Sequence, residues 1–323
     1  MKRFLTPILL CCAYGLFAQQ VPQYSMYMIN PYAYNPAYAG MEGTMVATGV
    51  YRKQWSDLKG APEGQHINAH LPLDMISSGV GLKVDNDAIG AHRTTQVLMS
   101  FSYRLALGRE ATLSAGVGGG FMQYNLDGNK LRAPEGTYLE PSFSHNDPLL
   151  PEGSVRAGSP VVEAGLFFEY KALQAGVSVQ PVFSPVLKPD DQGGFALQPV
   201  RHYLFYAAYT LILSDDFSLQ PSILTKSDIT ETQLEISSTI RWSENIFAGA
   251  TYRGFTANDR DAVVLFGGMR VNEKLSLGYA YDLSLSPLRD VNRGSHELLL
   301  RYSLNKPIGA GKLPPIIYNP RFI

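Results

Sequence analysis

TQLEISSTIRW, residues 232–242, decides the fold. Leu234, Ile236, Ile240 and Trp242 fall on one face, with Ser238 between them, and Glu235, Ser237, Thr239 and Arg241 fall on the other. A period of two marks a strand with one apolar face. Its length suits a strand crossing a bilayer at a tilt, which takes about 9–11 residues. The pattern recurs. Val97, Met99, Phe101, Tyr103 and Leu105 alternate with Gln96, Ser100, Ser102 and Arg104, and Leu275, Leu277, Tyr279 and Tyr281 alternate with Ser276, Gly278, Ala280 and Asp282.

Carried along the chain, the alternation predicts strands near 44–52, 64–71, 78–86, 94–106, 111–124, 161–170, 172–180, 201–213, 216–226, 231–242, 246–255, 262–271, 275–284 and 294–303. That makes fourteen, and a closed single-chain bacterial barrel requires an even number. The connections sort by parity. Those at 72–77, 108–110, 171, 214–215, 243–245 and 272–274 are short; those at 53–63, 87–93, 125–160, 181–200, 227–230, 254–261 and 285–293 are mostly longer. Outer-membrane barrels put short turns in the periplasm and longer loops outside. A soluble periplasmic β-protein, the alternative, has no reason to sort its loops this way. The expectation is an all-β, transmembrane antiparallel β-barrel of about 14 strands with both termini periplasmic.

Composition agrees. Charged residues are 17%, against roughly 25% for soluble domains, while the chain holds 19 Tyr and 30 Gly. Lys2 and Arg3 precede an apolar stretch, 4–17, too short to span a bilayer as a helix. With the small Ala18 after it, 1–18 reads as a signal peptide, leaving 19–43 as an N-terminal strip, 44–303 as the barrel and 304–323 as a periplasmic tail. Cys11 and Cys12 fall in the signal segment, and bulky Leu10 argues against acylation of Cys11. The mature chain then has no cysteine for disulfides, thiol catalysis or Cys-ligated zinc. The 27 basic and 28 acidic residues become 25 and 28 once Lys2 and Arg3 are removed. No basic surface for nucleic acid follows.

The strip contains NPYAYNPAYAG, residues 30–40. Gln23-Tyr24-Ser25, Tyr27-Met28, Asn30-Pro31 and Asn35-Pro36-Ala37-Tyr38-Ala39-Gly40 resemble the PorP/SprF family of type IX secretion system membrane proteins. Tyr51-Arg52-Lys53-Gln54-Trp55, Gly60-Ala61-Pro62 and Val84-Asp85-Asn86-Asp87-Ala88-Ile89-Gly90 continue the resemblance, which is specific to about residue 90. It implies an outer-membrane barrel of fatty-acid-transporter-like architecture, working beside the type IX translocon in secretion, surface anchoring and gliding motility. The implied partners are a type IX secreted cargo protein, such as an adhesin, periplasmic or lipoprotein components of that system, and outer-membrane lipid.

Pro31 and Pro36 each lack a ladder donor and restrict the preceding Asn, so the strip is no central strand. It is expected to be a stiff aromatic segment on the periplasmic side, or tucked into the lumen from there. Tyr318-Asn319-Pro320 repeats Tyr34-Asn35-Pro36. Tyr32, Tyr34, Asn35, Pro36, Tyr38, Tyr318, Asn319, Pro320 and Phe322 form either a periplasmic docking surface or, for the strip, a plug. At the outer side, Arg52, Trp55, Tyr138, Phe143, Leu149, Leu150 and Phe195 are the expected partner contacts, Trp55 alternatively being an interfacial aromatic.

Other motifs carry less. Asp85, Asn86 and Asp87 fall short of the 6–8 oxygens calcium takes and read as an Asx-stabilised turn ended by Gly90. His66 and His70 share a lumen face with Asn68 but stand about 13 Å apart, too far for one metal ion. They read as hydrogen-bonded lumen residues. Gly116 and Gly118-Gly119-Gly120 lie inside a strand and open no helix, so they make room for a lumen object rather than cradle phosphate. No G-x-S-x-G is present. The sequence suggests no catalytic set and no cofactor. The function expected is a non-enzymatic barrel that binds, helps secrete or anchors cargo; the alternative is a channel for a small apolar solute.

Overall fold

A computed structural model describes residues 23–139, 142–148, 150–183, 185, 199–243, 245–254 and 260–304. The fourteen strands are β1 (Val46–Lys53), β2 (Glu63–Leu73), β3 (Ser78–Ile89), β4 (His92–Leu107), β5 (Ala111–Asp127), β6 (Ser154–Tyr170) and β7 (Leu173–Phe183), followed by β8 to β14. Of these, β8 is His202–Tyr209, continued past Thr210 by Leu211–Ile212, and β9 is Phe217–Ser227. The rest are β10 (Thr232–Trp242), β11 (Ile246–Gly254), β12 (Arg260–Arg270), β13 (Leu275–Ser284) and β14 (Ser295–Ser303). Every strand pairs antiparallel with its sequence neighbours, and β14 returns to β1 with Val46 opposite Ser303 and Lys53 opposite His296. The sheet is closed, which removes the exposed edges an open sheet would leave.

The alternation places the predicted faces as expected. Val97, Met99, Phe101, Tyr103, Leu105 and Leu107 of β4 all point outwards and are exposed. Aromatic girdles edge this apolar band. Tyr170, Tyr209, Phe217, Trp242 and Tyr302 lie toward the short-turn rim, where Phe217 and Trp242 stack at 6.4 Å; Tyr51, Tyr203 and Tyr252 lie toward the opposite rim. Such belts mark the two membrane interfaces of a transmembrane barrel. No helix among the described residues is long and apolar enough to cross a membrane.

Several boundaries differ from the sequence reading. Asp85, Asn86 and Asp87 are not a turn; they pair with both β2 and β4, and only Gly90 and Ala91 separate β3 from β4. Gly90 supplies the positive φ, 59°, that this tight hairpin needs. The long loop predicted at 125–160 shortens to 128–153, because β5 and β6 run in register to Asp127 and Ser154. The parity of connection length therefore has two exceptions, the turns at 90–91 and 228–231.

The interior of the barrel is a packed core. Residues of the strip, among them Tyr27, Tyr32, Tyr34 and Tyr38, are buried with wall residues from strands around the lumen, including Val50, Phe167, Leu224 and Leu299.

Candidate functional site

The strip folds as three single 3-10 turns, Tyr27–Ile29, Pro31–Ala33 and Pro36–Tyr38. Proline opens two of them because its fixed φ and missing N–H suit the first position of a turn. Asn35, held extended before Pro36, caps the third: its Oδ1 accepts from Ala37 N at 2.9 Å. Isolated 3-10 turns leave many carbonyls without internal partners, and the wall supplies donors. Ser102 Oγ reaches Ala39 O at 2.7 Å, Ser114 Oγ reaches Ala37 O at 2.6 Å and Ser178 Oγ reaches Tyr34 O at 2.6 Å. Lys83, Arg104 and Arg301 donate to Ala33, Gly40 and Ile29.

Two wall glycines decide how closely the strip can lie. A Cβ at Gly79 would collide with the carbonyl of Ala39, and one at Gly116 with the backbone of Pro36 and Ala37. Of Gly116 and Gly118-Gly119-Gly120, Gly116 is thus the one that makes room for the strip. Gly118 instead faces the Glu163 carboxylate of its own wall.

The strip runs the length of the lumen. Near the short-turn rim, Leu304 N donates to Met45 O at 2.9 Å. Near the long-connection rim, Gln23 Nε2 donates to Gln233 Oε1 at 3.2 Å. The strip's first described residue, Gln23, thus lies at the opposite rim from residue 304, while its far end meets residue 304 through Met45.

An ionic network, buried throughout, grips the strip at Ser25 and Met26. Both carboxylate oxygens of Glu297 accept strip N–H groups, from Ser25 at 2.6 Å and Met26 at 3.0 Å. Ser25 Oγ donates to Asp282 at 2.7 Å and accepts from Arg52 at 2.7 Å. Arg52 pairs with Asp282 at 2.7 Å, Arg253 pairs with Asp282 at 2.8 Å and Glu235 at 3.0 Å, and Lys226 pairs with Glu235 at 2.9 Å. The three cations balance the three anions, which is the condition for burying so many charges. Lys83–Glu163 at 2.7 Å, His66–Asp85 at 2.6 Å and the Glu42–Arg301 pair hold further strip contacts. His66 and Asn68 hydrogen-bond each other at 2.7 Å, and Asn68 donates to Asn30, as lumen residues should.

This geometry corrects two sets of expected contacts. Tyr32, Tyr34, Asn35, Pro36 and Tyr38 are buried inside the barrel, so their side chains present no docking surface. Arg52 belongs to the lumen network rather than the outer face, because its position on β1 shares the inward face with Val50. Tyr318, Asn319, Pro320, Phe322, Leu149 and Phe195 lie outside the described residues.

Of the remaining outer set, Trp55 is half-buried beyond β1, its backbone N–H donating to Ser295 Oγ at 3.1 Å. Tyr138 and Phe143 pack edge-on at 5.5 Å, with the Arg132 guanidinium 4.6 Å above the Tyr138 ring. Buried His145 ties this cluster to the base of the same loop by donating to Gly128 O and Pro151 O. Loop 128–153 therefore has its own small core, with Phe143 and Leu139 left exposed and Leu150 half-buried.

The sequence reading missed Asp282, Glu297, Glu235, Arg253 and Lys226. Their signal was available: ionisable residues on the inward face of strands, in a chain where charge is sparse.

A closed fourteen-strand barrel with an apolar outer band and aromatic girdles is an outer-membrane protein. Residues 16–302 match the model of the family described as type IX secretion system membrane protein PorP/SprF, and the chain belongs to that family. No curated protein matches it in sequence. Among solved structures it is similar to the Pseudomonas putida toluene transporter TodX, with 11% identity, 89% of this chain and 95% of that one covered, and TM-score 0.49. It is also similar to a Pseudomonas aeruginosa FadL homologue, at 14% identity, 84% and 92% coverage and TM-score 0.44. A third similar structure is the Acinetobacter baumannii outer membrane protein Omp33, at 6% identity, 80% and 97% coverage and TM-score 0.47.

Proposed function

We propose that this barrel is a non-enzymatic bridge of the type IX system. Its outer loops grip an exported protein, and its periplasmic side meets cell-envelope components. The observation that carries this reading is the filled lumen. The strip is bonded to the wall along its length, which suits an anchor better than a conduit. The structured loop 128–153 supports it from the other side: a loop this long, with its own aromatic core, is usually functional.

The orientation has the long-connection rim outside. Single cysteines at Glu152, Thr230 and Arg289 should react with an impermeant thiol reagent on intact cells, and cysteines at Glu110, Asp215 and Glu273 should not. The opposite pattern would reverse the orientation.

Cargo contact is assigned to loop 128–153, with Tyr138, Phe143 and Leu150 as anchors, and to the segment around Phe195; Trp55 and Leu149 stand with them. Deleting 130–152, which spares β6, should release cargo into the medium while the barrel still assembles, shown by heat-modifiable gel mobility. Full cargo retention on such cells would remove the loop from the mechanism. The periplasmic contact is assigned to 304–323, with Tyr318, Asn319, Pro320 and Phe322.

A further inference from the structure

The outward faces of β4, β5 and β6 continue past the apolar band as two polar tiers. The top of the band is Val97, Phe121 and Pro160, aligned across the three strands. The next outward tier is Thr95, Gln123 and Gly158; the one above is Arg93, Asn125 and Arg156. The arginine tier stands four residues beyond the band, about 13 Å along the strand and about 10 Å along the normal at a tilt of about 40°. That is the headgroup zone.

The two arginines share one level and one face, with a single strand between them, so their backbones are about 10 Å apart. Both are exposed, and neither makes an ion pair among the described residues; Arg93 donates only to Asn86 Oδ1, at 3.3 Å. The acid on the next tier, Asp127, is engaged by Lys130 at 3.8 Å and by Asn129 N at 3.2 Å. The described part of loop 128–153 leaves Arg93 and Arg156 exposed, and its Leu131 packs on the lumen-side cluster of Leu98, Met122, Tyr124, Leu126 and Val161. Below the arginines, the Phe121 ring lies across Gly158, where any Cβ would strike it, and so forms an apolar shelf.

We propose that Arg93 and Arg156, with Asn125, Gln123 and Thr95, bind the phosphorylated sugar headgroup of an outer-leaflet glycolipid. A guanidinium matches a phosphate in a bidentate fork, and two of them flanking amide and hydroxyl groups suit a headgroup rich in both phosphate and hydroxyls. The Phe121 shelf receives the start of the acyl chains. The choice of leaflet rests on the long-connection rim facing outside.

Native mass spectrometry of the full chain in detergent tests this with three probes: bis-phosphorylated lipid A, the same glycolipid stripped of phosphate, and phosphatidylglycerol. The intact protein should retain lipid A in preference to both others. The double variant Arg93→Gln/Arg156→Gln should bind it more weakly, by about tenfold for each guanidinium, the size of one charge-assisted hydrogen bond. Lys171→Gln, an exposed residue at the opposite rim, should change nothing. Equal retention by the double variant, or no loss on removing the phosphates, overturns the site. Preference for phosphatidylglycerol overturns the glycolipid assignment. The cysteine map decides the orientation separately, so the two failures are distinguishable.

Discussion

Removing residues 24–42 should turn a silent barrel into a conducting one. The intact protein in a planar bilayer should show no stable current steps, because the strip fills the lumen from Gln23 to Met45 with side chains on both walls. The shortened protein should show stable steps of uniform size. Its wall should survive the loss. Arg52, Arg253 and Lys226 still neutralise Glu235, Asp282 and Glu297, and water entering the lumen would solvate whatever the strip had bonded. A finer version uses Gly79→Val with Gly116→Val. Both side chains would strike strip backbone rather than a movable side-chain tip, and overpacking typically costs 1–3 kcal/mol per site. That should loosen the short-turn half of the strip and give intermittent openings. Steady conductance from the intact protein, or silence from the folded deletion, would sink the idea of a closed lumen.

Arg253→Met should destabilise the barrel by about 3–5 kcal/mol, the usual loss when one partner of a buried ion pair is removed. Its guanidinium bonds Glu235 at 3.0 Å and Asp282 at 2.8 Å, and also reaches Ser25 Oγ at 3.2 Å. Arg253→Lys should rescue little, because one ammonium cannot span both carboxylates as the fork does. Adding Asp282→Asn to Arg253→Met should restore part of the loss, since without Arg253 the carboxylates of Asp282 and Glu297 share Arg52 alone, whereas Glu235 keeps Lys226. Unfolding of the detergent-folded protein by urea, read from heat-modifiable mobility, gives the comparison. A single variant within about 1 kcal/mol of the parent would put this network in the class of exposed pairs.

The barrel was legible because its cause is local. Inward and outward residues alternate within each strand, so Leu275 to Ser284 could be delimited from its own ten letters. Errors arose where the signal was also local but misleading. Asp85-Asn86-Asp87 carries turn chemistry, yet His66 and Tyr24 satisfy Asp85 from other segments, and the strand continues. The plug was only half legible. Two Asn-Pro pairs excluded a strand, but whether Tyr34 faced water or wall depended on Ser178 and Gln180, far along the chain. The ionic network was the least legible, because Arg52, Glu235, Arg253, Asp282 and Glu297 meet only after the sheet closes.

That meeting has a consequence for how the chain is made. Ser25 N–H bonds Glu297, 272 positions later, and Arg52 of the first strand joins them with Asp282 of the penultimate one. The segment that leaves the export machinery first therefore waits for the segment that leaves last. Contacts between such distant residues are slow to form. The strip's anchor at Ser25 is therefore complete only once the last strand has paired with β1. A chain cut short of Glu297 would lack both its closing seam and the anchor for its own beginning, so one truncation removes both.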